Sequence, residues 1–112
     1  MKIEITDKLK SDFQATLDFW DAARKPKNKI KYKEDWKEHQ RIKYLFCRCA
    51  FCQYILCRDC PLKFCNEISF FNQWSYAKTQ KAKCKHAKII YQVIKPWIDE
   101  NITNNKTGFI EV

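Results

Sequence analysis

The stretch from Cys47 to Cys65 reads C-R-C-A-F-C-Q-Y-I-L-C-R-D-C-P-L-K-F-C and holds six of the chain's seven cysteines. It contains two C-x2-C pairs separated by four residues, namely Cys49 with Cys52 and Cys57 with Cys60. A C-x2-C pair can place two thiolates on one side of a tight or helical turn, and two pairs supply the four sulfurs that tetrahedral Zn2+ takes. We therefore predict a structural zinc site on these four cysteines, with Cys65 in reserve.

The ligand set and the cofactor both have alternatives. The gap between the two pairs is so short that Cys65 can replace Cys57 as a ligand. An iron–sulfur cluster is the second choice, because Cys60-Pro61 is similar to the Cys-Pro of ferredoxins, although ferredoxins space their cysteines more closely. Disulfides come third, since seven cysteines cannot all pair within one chain. A set of unligated thiols comes last, because six such groups would repel one another if ionised.

Four further residues are weaker candidates for metal ligands. Cys47 stands two residues before Cys49 and would point elsewhere on a helix. Cys84 lies on an apolar stripe, where a buried cysteine behaves as a small hydrophobic residue. His86 makes a C-x-H pattern with it, and His39 precedes the first cysteine by eight residues. A surface histidine is the simpler interpretation of His39.

Length and composition indicate one globular domain. The chain has 112 residues, of which 46% are hydrophobic and 15% aromatic, with one glycine and three prolines. It has no apolar run of the roughly 20 residues that a membrane span needs, and its first residues lack the apolar core of a signal peptide. We therefore expect a cytoplasmic protein, where reduced thiols favour metal binding over disulfides.

The formal net charge of +9 is concentrated in two blocks that flank the cysteines. Residues 21–44 carry a surplus of five positive charges, and residues 77–95 carry six lysines and no acid. Such blocks indicate an anionic partner, usually nucleic acid, although they are also compatible with a solvated surface.

The first basic block includes a connector between two expected helices. Leu9, Phe13, Leu17 and Trp20 recur at helical spacing and predict a helix over 6–24, which begins later if Ser11 and Gln14 form a capping box,. Lys25 precedes Pro26 and should end this helix. Residues 25–33 then predict an extended loop with alternating lysines: Lys25, Lys27, Lys29, Lys31 and Lys33. A second helix is expected over 34–46, with Trp36 as an apolar anchor.

The second basic block lies on the longest helical signal, residues 67–95. Either one helix or two are expected there, with a break near Asn72 or Ser75, and Pro96 should end or kink the last helix,. Four lysines recur at spacings of three, four and three on one helical face: Lys78, Lys81, Lys85 and Lys88,. Residues 101–112 carry weak signals and are expected to fray.

The predicted fold is therefore all-α, a single domain of three or four helices with a cysteine-rich zinc knuckle between the second and third. Its parts are N-terminal helices and a basic connector over 1–46, the knuckle over 47–65, one or two helices over 66–98, and a tail over 99–112.

The motifs together resemble a family of small cysteine-rich proteins encoded by bacteriophages and prophages. Members share two tryptophans, C-x2-C, then C-x2-C-P-L, one more cysteine, a tryptophan and a closing helix. The matching positions are Trp20, Trp36, Cys49, Cys52, Cys57, Cys60-Pro61-Leu62, Cys65, Trp74, Ala87, Ile90 and Ile94. The short gap between the pairs and the additional Cys47 and Cys84 depart from this pattern. The resemblance implies a phage origin, and therefore the cytoplasm of a bacterial host, and it assigns no function.

The residues favour a non-enzymatic protein. Four thiolates around zinc leave no open coordination position for water, which is typical of structural sites. The chain has no G-x-S-x-G, P-loop or H-E-x-x-H motif,. The leading hypothesis is a zinc-binding module that contacts nucleic acid through the two lysine sets. The alternative is a phage protein that binds a host protein with an acidic surface, to inhibit or redirect it.

Overall fold

Three helices make up most of the described chain, which in this computed structural model comprises residues 2–30, 35–36, 50, 54–55 and 70–111. They are α1 (Asp7–Ala23), α2 (Phe70–Tyr76) and α3 (Gln80–Ile98). A 3-10 turn, Pro26–Asn28, follows α1, and a π-helical turn, Asp99–Thr103, follows α3. The prediction of a mostly helical protein is confirmed, but all-α is wrong, because two short strands are present. The predicted helix over 34–46 and the knuckle lie largely outside the described residues.

The boundaries of α1 follow from its flanking residues. Thr6 is extended and its Oγ1 accepts a hydrogen bond from the Leu9 N–H at 3.1 Å, so it caps the helix,. The alternative start at Ser11 is therefore wrong. Lys25 has extended geometry before Pro26, as expected, and the helix ends at Ala23,.

The helical signal after residue 67 resolves into two helices within the described range. The break follows Tyr76, a little later than Asn72 or Ser75, because Thr79 caps α3 by accepting from the Ala82 N–H at 3.1 Å. Lys83 is buried and donates to the carbonyl oxygens of Trp74 at 3.0 Å and Ser75 at 3.2 Å. This amine satisfies acceptors at the end of α2 and thereby fixes α2 against α3.

Helix α3 continues through Pro96 to Ile98, so Pro96 does not end it, and the alternative of a kink at Pro96 stays a prediction. Proline removes one backbone donor, but Ile94 and Ile98 on either side are buried and hold this turn against the core,. The chain then widens into the π-helical turn, in which the Asn104 N–H donates to the Asp99 carbonyl at 2.8 Å,.

The two strands, β1 (Lys2–Glu4) and β2 (Phe109–Glu111), form an antiparallel pair with Ile3 opposite Ile110. Gly108 adopts a φ of 83° just before β2, a conformation that glycine takes without strain,. Ile110 is fully buried and joins the core. The expectation that residues 101–112 fray is therefore wrong for the part that the structure describes.

The core lies between α1 and α3 and is rich in aromatic rings. The α1 stripe is buried as expected, and Trp20 packs edge-on against Trp74 with ring centroids 5.1 Å apart. Phe19, which was not part of the predicted stripe, also contacts Trp74 and lies 5.8 Å from the ring of Trp36. Trp36 is buried, so its prediction as an apolar anchor is confirmed.

Candidate functional site

The predicted metal ligands lie outside the described residues. This holds for the four first choices, for the reserve Cys65 and for Cys47. His39 and two of the connector lysines, Lys31 and Lys33, also lie outside. Three residues that stand between these cysteines in the sequence are described, and each of them contacts the helical core. These are Ala50, Tyr54 and Ile55.

Ala50, which lies between Cys49 and Cys52 in the sequence, packs against α1. It has helical geometry and is fully buried. Its N–H donates to Thr16 Oγ1 at 3.0 Å, and that hydroxyl donates to the Asp12 carbonyl at 3.0 Å. Thr16 is itself buried, so this hydrogen bond is shielded from water and ties the backbone beside Cys49 to the helix,.

Tyr54 and Ile55 dock the segment between the two pairs. The Tyr54 hydroxyl donates to Asp12 Oδ2, and the Lys8 amine donates to the same oxygen at 2.8 Å. Partial burial and the Asp12 hydrogen bond raise the pKa of Tyr54, so the phenol stays protonated as a donor,. Its ring stacks on Phe13 at 5.9 Å, and Ile55 is buried in the same core.

Cys84 is the one cysteine in the described part of the chain. It is buried on α3, and its Sγ accepts a hydrogen bond from Gln80 Nε2 at 3.3 Å. Among the described residues no group of three or more potential ligands comes together, around Cys84 or elsewhere. Cys84 thus occupies the apolar position that the sequence predicts for it.

His86 follows Cys84 by two residues on α3 and has an unusual environment. Its Nδ1 is buried without a hydrogen-bond partner in the part of the chain that the structure describes. Burial, followed by repulsion from Lys85, lowers the pKa of His86 below its ordinary value of 6.5,. The folded chain therefore keeps this imidazole neutral to a lower pH than the unfolded chain does.

The neutral imidazole predicts a pH-dependent stability. As pH falls through about 6.5, the unfolded chain takes up a proton at His86 before the folded chain does, so the free energy of unfolding falls. In urea titrations we expect this loss to set in as the pH approaches about 6.5 and to continue at lower pH. The variant His86→Gln should lack this pH-dependent loss of stability, whereas His39→Gln should keep it. Parallel pH profiles for the parent and His86→Gln would contradict the prediction.

The predicted lysine face of α3 is exposed to solvent. Lys81, Lys85 and Lys88 lie on the side of α3 opposite its buried residues, and Lys78 is exposed in the connection before it. Within the described part of the chain none of the four has an ion pair, whereas Lys95 is paired with Asp99 at 2.8 Å. The helix thus has an open basic N-terminal half and a neutralised C-terminal end.

The connector differs from the expected extended loop. Pro26–Asn28 is a 3-10 turn and Lys29 is left-handed with a φ of 50°, so the described connector lysines do not alternate along a strand. Lys25 forms an ion pair with Asp21 at 3.4 Å. In the described part of the connector, Lys27 and Lys29 are exposed lysines without an ion pair.

Arg24 links the connector to the lysine face. It bonds Asp21 at 2.7 Å, and its guanidinium stacks on the Tyr91 ring at 4.2 Å,. Tyr91 follows Lys88 by three residues on α3 and is therefore its neighbour on the helix surface. The two basic segments thus adjoin each other along one helix.

Tyr76 is a surface feature that the sequence analysis missed. It is 76% exposed, more than any other large hydrophobic residue that the structure describes. The signal was available, because Tyr76 falls off the predicted stripe of Phe70, Trp74 and Ala77 by about a third of a helical turn.

Comparison of the chain with protein families, with curated proteins and with solved structures found no match. Within the described ranges, no helix combines the length and the apolar character that crossing a membrane requires.

Proposed function

We propose that this chain is a non-enzymatic, phage-type zinc-binding module that contacts nucleic acid through the basic surface of α3. The observation that carries the nucleic-acid part is the open lysine face formed by Lys78, Lys81, Lys85 and Lys88. The cysteine pattern carries the zinc part, with Cys49, Cys52, Cys57 and Cys60 as the proposed ligands and Cys65 in reserve.

The docking of the cysteine-rich stretch supports a structural role for the metal. Ala50 and Ile55 are core residues, yet each stands beside a pair of proposed ligands in sequence. A closed four-thiolate site fixes such a segment without help from regular secondary structure. Zinc would therefore cross-link the same part of the chain in which Ala50 and Tyr54 form hydrogen bonds to Thr16 and Asp12 of α1.

The position of the lysine face on α3 supports an anionic partner. Lys78 and Lys81 lie at the helix N-terminus, where the macrodipole is already positive and disfavours a cation by about 0.3–1 kcal/mol. The first turn of α3 has no acid, and residues 70–98 contain none. Like charges at i,i+4 add a few tenths of a kcal/mol of repulsion for Lys81 with Lys85. A phosphate backbone would relieve both effects.

The connector extends the proposed footprint. Lys27 and Lys29 are open cations, and the stacking of Arg24 on Tyr91 brings their segment to the same helix as Lys88. Phosphate contacts from such lysines contribute affinity without sequence preference.

Salt dependence tests this proposal. If about four phosphates are neutralised on duplex DNA, the slope of log K against log salt should be roughly −3 to −4. Replacing Lys81 and Lys85 together by Ala should flatten the slope by about two, measured by fluorescence anisotropy, and leave the metal content unchanged.

A matched control is available at the other end of α3. Replacing Lys10 and Lys106 by Ala removes the same charge from exposed positions near the C-terminal end of the helix, and the slope should stay unchanged. Undetectable binding at low salt, or binding indifferent to salt and to Lys81 and Lys85, would instead favour a host protein with an acidic surface as the partner.

A further inference from the structure

Tyr76 places an aromatic ring in solvent at the edge of the lysine face. A tyrosine that is 76% exposed contributes little to the core, in contrast to Trp74 two residues earlier, which is 3% exposed. Gln73 and Ser75, its neighbours on α2, are also exposed and uncharged. The two described residues that flank Tyr76 on α2 are therefore polar and uncharged.

The backbone that carries Tyr76 is held firmly. The Ala77 N–H donates to the Gln73 and Trp74 carbonyl oxygens at 3.1 and 3.3 Å and closes the last turn of α2. From α3, the Lys83 amine donates to the carbonyl oxygens of Trp74 and Ser75, and it lies 4.7 Å from the centroid of the Trp74 ring. The ring is thus presented by a fixed helix end, which lowers the entropy lost when a ligand packs on it.

The open lysines begin directly after this ring. Lys78 follows Tyr76 by two residues, which an extended chain spans in about 7 Å, and Lys81 lies in the first turn of α3,. A ligand that contacts Tyr76 can therefore place anionic groups on these lysines at the same time. The arrangement combines a flat aromatic surface with a row of cations.

We infer that Tyr76 is a stacking platform for unpaired bases, and that the lysine face binds single-stranded nucleic acid in preference to duplex. This inference rests on the proposed nucleic-acid function and narrows it. Base faces are accessible in a single strand and covered by their neighbours in a duplex. Proteins that bind single strands combine a basic track with aromatic rings, and stacking tolerates any sequence because every base has a π-face.

The test compares a mixed-sequence oligonucleotide of about 15 nucleotides with the same strand annealed to its complement. The parent protein should bind the single strand more tightly in fluorescence anisotropy. Tyr76→Ala should weaken binding of the single strand by about 5- to 100-fold and leave duplex binding nearly unchanged. Tyr76→Phe should keep the preference, because it retains the ring. Phe109→Ala, which removes the other exposed aromatic ring of the described range, should have no effect.

The outcomes distinguish the stacking role of Tyr76 from the proposed electrostatic contact with nucleic acid. Equal binding of both forms, with salt dependence intact and Tyr76→Ala without effect, would overturn the stacking role and leave the electrostatic contact standing. Equal weakening of both forms by Tyr76→Ala would also overturn the stacking role, because stacking on unpaired bases should affect only the single strand. Binding of neither form by the parent would remove the proposed nucleic-acid function itself.

Discussion

Removal of zinc should unfold the cysteine-rich stretch and strip the core of Ala50 and Ile55, both of which are buried. Structural zinc contributes on the order of 10–16 kcal/mol of apparent binding free energy. This matches or exceeds the roughly 5–15 kcal/mol of net stability of an ordinary domain. The proposed site is therefore expected to decide whether the domain folds.

The measurement combines elemental analysis with thermal unfolding of protein prepared without added metal. We expect about one zinc per chain, loss of helical circular dichroism on chelation under reducing conditions, and severe destabilisation of Cys60→Ser. Cys84→Ser serves as the control, because Cys84 lies within α3 and its thiol accepts a hydrogen bond from the Gln80 side chain. This substitution should destabilise the fold only mildly. Iron with sulfide, absence of metal from reduced protein, or equal melting of Cys60→Ser and the parent would refute the zinc site.

Phe13→Ala should destabilise the fold by about 3–5 kcal/mol. Phe13 is fully buried, and its ring stacks on Tyr54 at 5.9 Å and on Trp97 at 5.8 Å. It therefore joins three parts of the chain: α1, the end of α3 and the cysteine-rich stretch. Truncation leaves a cavity that rigid elements on both sides cannot fill.

Phe109→Ala is the matched control, because it removes the same group from a ring that is 45% exposed. Its effect should be clearly smaller in urea or thermal unfolding, where each kcal/mol lowers the melting temperature by roughly 4–8 °C. Similar losses for the two variants would show that Phe13 does not link these elements.

Helix α1 could be predicted because all of its determinants are local. The apolar stripe with Phe13 and Trp20 sets the buried face, and the Lys25-Pro26 pair sets the end,. The start had two candidates, since both Thr6 and Ser11 can cap a helix. Thr6 was selected because a start at Asp7 keeps Leu9, which is buried, within the helix.

The strand pair could not be predicted, because each strand has three residues and its partner lies at the other end of the chain. A segment this short carries too little alternation to be distinguished from a tail. The end that the sequence predicts for α3 at Pro96 was wrong for a related reason. Proline is a local breaker, whereas burial of Ile94 and Ile98 is a tertiary effect that outweighs it,.

In the candidate site, too, the features set by local sequence could be predicted and those set by tertiary packing could not. Exposure of Lys81, Lys85 and Lys88 follows from helical periodicity and was predicted. The burial of Lys83 at the end of α2, and the stacking of Arg24 on Tyr91, depend on how separate helices meet. In the sequence Lys83 adds to the basic surplus of residues 77–95, whereas in the fold its amine is buried and bonds carbonyl oxygens at the end of α2. The choice of zinc ligands stays a prediction, since those cysteines lie outside the described residues.

The pairing of β1 with β2 has a consequence for the order of folding. Ile3 and Ile110 are roughly a hundred residues apart in sequence, so their contact closes a loop of nearly maximal length and maximal entropy cost,. Isolated helices form within about a microsecond, but two strands of three residues have no stability of their own. We therefore expect β1 and β2 to pair only after α1 and α3 have packed together and brought the two strands close to each other. We therefore expect this pairing to be the last contact that forms on folding and the first that opens on unfolding,.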